Sequence, residues 1–146
     1  MISEIDQQSL DIDWFFTNGN EIGFVASGGG KLPDSIVKSY ELYEILKAYL
    51  RDLPCTTDIV INPALGAIKN NVTDRYLADF VDMSKKGFYS FDKTHLNNFS
   101  DPNYHLVASP VNPFKFDELP LEMQSILLST KCSGNIGETL NIDMIQ

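Results

Sequence analysis

Between Asp11 and Ser27 the chain reads DIDWFFTNGNEIGFVAS, two stretches rich in aromatic and β-branched residues on either side of Asn18-Gly19-Asn20. Asn and Gly accept the positive φ that a tight hairpin turn demands, so the pattern predicts two antiparallel strands. After Pro33-Asp34-Ser35 the pattern changes. Leu42, Ile45, Leu46, Tyr49 and Leu53 recur at spacings of three and four, which predicts a helix from Ile36 to Leu53, opened by Pro33 and stopped by Pro54. Thr57 to Pro63 reads as a short strand, and Ala64 to Asn70 shows no clear period. A second helix is predicted from about Thr73 to Ser84, with Tyr76, Leu77, Phe80 and Val81 on one face and Asn71 with Asp74 as a capping pair. Lys85, Lys86 and Gly87 end it.

Gly87 to Phe91 and Tyr104 to Ser109 then read as antiparallel partners joined by the polar stretch Asp92 to Asn103. Pro110 and Pro113 stop the second of them, because proline cannot donate to a ladder. A third helix is predicted from about Glu118 to Thr130, with Leu119, Met123, Ile126 and Leu127 as its stripe. The alternating tail Thr139 to Ile145 suits a last edge strand. Hairpins interleaved with helices predict an α+β fold: a mainly antiparallel sheet of about five to six strands with three helices. With 146 residues, 43% of them hydrophobic, the whole chain is expected to form one domain around one core.

Charge narrows the function. Twenty Asp and Glu against eleven Lys and Arg leave a formal charge of −9. Such a surface repels phosphate backbones and anionic lipid, so neither nucleic acid nor membrane is expected as a partner. A basic protein is favoured electrostatically. The N-terminus MISEIDQQSLDID carries acids where a signal peptide would want Lys or Arg. Cys55 and Cys132 stand far apart without metal-type spacing, so a cytoplasmic protein with reduced thiols is expected.

Four groups of residues carry candidate chemistry. The run ASGGGKLP lacks the hydroxyl residue and glycine spacing of a P-loop and fails the dinucleotide pattern. Gly28, Gly29, Gly30 and Lys31 could still gather a small anion ahead of the first helix, which makes a ligand-binding domain the alternative function. Asp92 lies three residues before His95, and Asp101 four before His105. A metal would need three or four of these to converge, and no metal or cofactor is expected. His105, next to Leu106, is expected on the polar face of its strand. Cys55 would need one of those histidines beside it to act as a nucleophile. Trp14-Phe15-Phe16 must place rings on both faces of its strand. If helices cover one face only, an aromatic rimmed by Asp11, Asp13 and Glu21 becomes an anchor for a protein partner.

The runs DWFFTNGNEIGFVASGGGKLP, KKGFYSFDKT, YHLVASPVNP and DELPLEMQSIL resemble small bacterial proteins, some of them similar to the immunity proteins of polymorphic toxin systems. The resemblance implies a non-enzymatic protein that neutralises a basic toxin domain by covering it, and it carries over no individual site residue.

Overall fold

The computed structural model describes residues 1–146. It opens with a short helix, α1 (Glu4–Ser9), whose first turn is held by the Ser3 side chain accepting a hydrogen bond from the Asp6 N–H. The predicted hairpin follows as β1 (Asp13–Thr17) and β2 (Ile22–Ala26), in register from Asp13 opposite Ala26 to Thr17 opposite Ile22. Asn18 Oδ1 accepts from the N–H groups of Asn20 and Glu21 (3.0 and 2.8 Å), so the asparagine closes the turn with its side chain.

The helix expected from Ile36 to Leu53 is two helices, α2 (Asp34–Lys38) and α3 (Tyr40–Arg51), separated at Ser39 by a non-helical backbone (φ −125°, ψ 39°). That break re-phases the amphipathic pattern. Tyr43, Leu46 and Leu50 turn inward, while Leu42 and Ile45 of the expected stripe stand half-exposed. The chain then forms β3 (Ile59–Ile61), the one-turn α4 (Leu65–Ile68) and α5 (Asp74–Lys85). The cap of α5 is Thr73, accepting from the Tyr76 N–H, and not the expected Asn71, which adopts φ 60° outside the helix. β4 (Tyr89–Lys93) and β5 (Asn103–Pro110) come next. A 3₁₀ turn at Phe116–Glu118 leads to α6 (Leu121–Leu128), and β6 (Thr139–Asn141) closes the sheet. The fold is α+β as expected, with six α-helices where three were expected. No helix is long and apolar enough to cross a membrane.

The strand order is β1-β2-β4-β5-β3, and β6 pairs with the other half of β5. Every pairing is antiparallel except β2 with β4, where Gly23 to Ala26 lie parallel to Tyr89 to Asp92. The sheet curls strongly. Two strands separate β1 from β5, which would put them about 14 Å apart in a flat sheet. The rings of Trp14 and Tyr104 nevertheless meet edge to face at 6.2 Å. Trp14, Phe16, Phe91 and Tyr104 fill this concave side. On the convex side Phe15 packs on Phe24 and Phe88, and Phe24 on Phe80 of α5. There the Ser90 and Ser84 hydroxyls bond each other at 2.7 Å, and Ser90 also donates to the Phe80 carbonyl. Curling therefore buries one face of β1, and packing against Phe24 and Phe88 buries the other.

Candidate functional site

The acid-and-aromatic strand proposed as an anchor is turned entirely to internal use. Trp14 is only 1% exposed, so it cannot touch a partner, because the curl and the chain beyond it enclose the ring. Asp11 accepts a hydrogen bond from the Gly28 N–H at 2.9 Å. Asp13 pairs with Arg51, whose guanidinium also makes two bonds to Asp79 (3.1 and 3.2 Å) and lies over the Phe24 ring at 5.6 Å. Burial raises the Asp13 carboxyl above its ordinary value, against the opposing pull of Arg51. Glu21, at the other end of the strand, accepts from the Tyr89 hydroxyl at 3.0 Å and faces Lys115 at 3.9 Å. These four residues form no common surface.

The glycine run also has an internal task. Gly28 and Gly29 adopt φ of 54° and 75°, which L side chains avoid, and a Cβ on Gly30 would lie 2.9 Å from Lys93 Nζ. The loop thus folds directly over the Lys93 ammonium, and Lys93 as a whole is 2% exposed. Lys93 donates to the Asp101 carbonyl (2.7 Å) and sits 5.5 Å from the Tyr104 ring centre; desolvation lowers its pKa below the ordinary lysine value. Four of the backbone donors around the run are already engaged. Gly28 N–H goes to Asp11, Gly30 to the Ser27 carbonyl, Lys31 to the Phe99 carbonyl, and Leu32 to Gln7 Oε1. Lys31 lines a cavity of about 340 Å³ at the start of α2, together with Asp34 and Asp143. Gly28 and Gly29 line a different one, beside Asn97 and Asn98. The four residues do not converge, and two carboxylates face the lysine's own cavity.

The histidines exchange the acids that sequence spacing suggested. His95 Nδ1 lies 3.0 Å from Asp101 Oδ2 at the surface. Asp92 and His105 are paired across β4 and β5. His105 is 3% exposed, which corrects its expected place on a polar face; Thr94 Oγ1 meets its Nδ1 at 3.0 Å, and its Nε2 has no partner. Asp92 accepts from the Tyr76 hydroxyl at 2.6 Å. Burial lowers the His105 pKa and raises that of Asp92, while the charge of each partly opposes the other's shift. No group of three or more His, Cys, Asp and Glu side chains is arranged to hold a metal ion. Cys55 donates its S–H toward Asp82 (3.7 Å), so neither histidine's hydrogen bonding involves the thiol.

A different segment presents a surface. α6, LEMQSILL, turns Met123 and Leu127 inward, where the helix packs on β1 and α3. Its opposite side carries Leu121, 80% exposed, and Leu128, 45% exposed, seven residues and two turns apart. Asp117, Glu118 and Glu122 flank Leu121, all exposed, and none of the three side chains has a hydrogen-bond or ion-pair partner. Neighbouring α3 carries exposed aliphatic residues of its own, Leu42 and Ile45. The expected stripe of Leu119, Met123, Ile126 and Leu127 accounts for the inward side; the large aliphatics left over at 121 and 128 were the signal for the outward one.

No family model matches the chain, and no curated protein or solved structure is significantly similar to it.

Proposed function

We propose that this chain is a non-enzymatic binding protein of the immunity type. In this reading it inhibits a basic protein by laying the outward side of α6, with its acidic lead-in Asp117–Glu122, across the partner's functional surface. The observation that carries the proposal is Leu121, exposed between Glu118 and Glu122 on a helix that is apolar on both sides. A large aliphatic side chain in water within a rim of unpaired carboxylates suits a partner offering an apolar pocket ringed by Lys or Arg. The formal charge of −9 adds long-range attraction, which speeds encounter more than it deepens final affinity.

The product of the neighbouring gene is the partner to test, by calorimetry and stopped-flow mixing. Leu121→Ala is expected to weaken binding by roughly 30-fold or more, as for a buried interface anchor, mostly through faster dissociation. The pair Glu118→Lys with Glu122→Lys should slow association and flatten its dependence on salt. A basic partner that binds Leu121→Ala as tightly as the natural chain removes α6 from the interface. Absence of binding by the natural chain removes the reading.

A further inference from the structure

Beyond α6 the chain passes beneath the open end of the curled sheet and encloses a second feature, independent of the docking surface. A cavity of about 250 Å³ has the Phe16 and Phe91 rings as its floor, their centroids 5.8 Å apart and their planes tilted by 58°. Ile136, Leu140 and Met144 supply aliphatic walls, and Asn135 and Asn141 stand among the polar groups at its edge. None of its eleven lining residues is charged, in a chain where 21% of residues are. Its one ionisable group is Cys132, a free, half-buried thiol. Desolvation raises the thiol above its ordinary value, which keeps it neutral.

The roof of this cavity is lightly held. Between Cys132 and Thr139 the chain has no regular secondary structure. It is tied at Gly134, whose carbonyl accepts from Asn18 Nδ2 (3.0 Å), and at Glu138, whose carbonyl accepts from the Leu106 N–H (2.9 Å). Asn135, Ile136 and Gly137 span the gap between those ties, and a Cβ on Gly134 or Gly137 would meet nothing within 4 Å. Residues 135–137 can therefore move without breaking the sheet.

We propose that this cavity is a binding site for a small uncharged molecule with a flat apolar ring system, received between the Phe16–Phe91 floor and the strap of residues 133–138. Aliphatic-lined cavities of about 150 Å³ accept benzene, so this one has room for a bicyclic ring. Phe16 and Phe91 are each 1% exposed, so a guest gains edge and face contacts with the rings only as the strap gives way to admit it. Asn141 Oδ1 already accepts from the Asp143 N–H, which leaves its Nδ2 and the Asn135 amide to bond a polar atom of the guest at the rim, giving orientation without requiring charge.

Indole is a suitable probe, with benzoate as the charged control, and amide and methyl NMR of the full chain is the readout. Indole is expected to shift signals of Cys132–Asn141 and Met144 saturably, with a dissociation constant between about 0.1 and 2 mM, as befits about nine heavy atoms. Benzoate at equal concentration should leave them in place. Bound indole should slow alkylation of Cys132 by N-ethylmaleimide at least threefold, with exposed Cys55 as an unaffected internal control. Ile136→Trp, on the strap at the margin of the core, and Met144→Trp, at a largely exposed position, fill the cavity; either should weaken indole binding at least tenfold, and Met144→Trp should preserve the remaining spectrum. Shifts centred elsewhere, equal response to benzoate, or unchanged alkylation of Cys132 at saturating indole would each overturn the proposal. So would undiminished binding by a folded Trp variant.

Discussion

Two segments of this protein have nearly the same make-up and opposite fates. Asp11–Glu21 and Asp117–Leu128 each combine acids with large apolar side chains. In the first, every acid named above finds a donor: the Gly28 amide for Asp11, Arg51 for Asp13, and the Tyr89 hydroxyl for Glu21. In the second, Asp117, Glu118 and Glu122 find none, and Leu121 stands in water. Composition cannot separate the two cases; geometry does. A strand inside a curled sheet has both faces covered, so alternation sends every ring inward. A short helix lying against the sheet edge through one side keeps the other side free. Paired charges locate a structural strut, and unpaired ones around an exposed aliphatic side chain locate a surface available to something else.

The contrast can be broken most directly at its two anchors. Trp14→Ala should cost about 3–5 kcal/mol in urea unfolding, as for a buried aromatic leaving a cavity. A loss below about 1 kcal/mol would mean that the ring is not the core element its 1% exposure indicates. A methyl group added at Gly30 tests the role given to the glycine run. The new Cβ would lie 2.9 Å from both Lys93 Nζ and the Ser27 carbonyl oxygen, so Gly30→Ala should destabilise by about 1–3 kcal/mol. A neutral outcome would free those glycines for another task.

The interior also carries a pH response. His105 is held neutral by burial, so its folded pKa lies below the ordinary 6.5 and the unfolded chain takes up the proton first. Stability from this group is complete above about pH 6.5 and is lost as pH falls toward the folded value. Asp92 and Lys69 are the charges that act on it, with Asp92 favouring protonation and Lys69 opposing it. The raised pKa of Asp92 works in the other direction, between its folded value and 3.8. Denaturant melts at pH 7 and pH 5 should show the natural chain losing more stability than His105→Gln. Equal losses would exclude His105 as the source. The smallest effect belongs to Leu121→Ala, which should leave unfolding stability within about 0.5 kcal/mol of the original, because little of that side chain leaves water on folding. Paired with Trp14→Ala, it would separate outward from inward apolar residues in one experiment.

Elements specified by neighbours in sequence were legible in advance. The Asn18–Gly19 hairpin, α5, and the β4–β5 pair all lie within a few residues of their expected positions. The short α1 was not among the expected helices, although Ser3 caps it through the Asp6 N–H. Interactions over distance were not legible. The Ser39 break, which shifts the phase of α3, has no glycine or proline to announce it. Nor does any local pattern announce the parallel β2–β4 pairing. Strand curl is also a property of the whole sheet, and it decided that Trp14 would be buried. The candidate anchor moved to α6 for that reason. The wall residues of the Phe16–Phe91 cavity lie more than a hundred residues from Phe16, beyond the reach of any periodicity.

The β2–β4 junction has a bearing on how the chain is made. Everything from Ser27 to Phe88 must leave the ribosome before Tyr89–Lys93 can align beside Gly23–Ala26. Until then the first hairpin waits with one side of its backbone ladder open and its aromatic rings unenclosed. Such contacts between remote segments are slow to form. The nascent protein therefore passes through a sticky interval early in its synthesis, while β2, all five of whose residues end up buried, waits for its second neighbour.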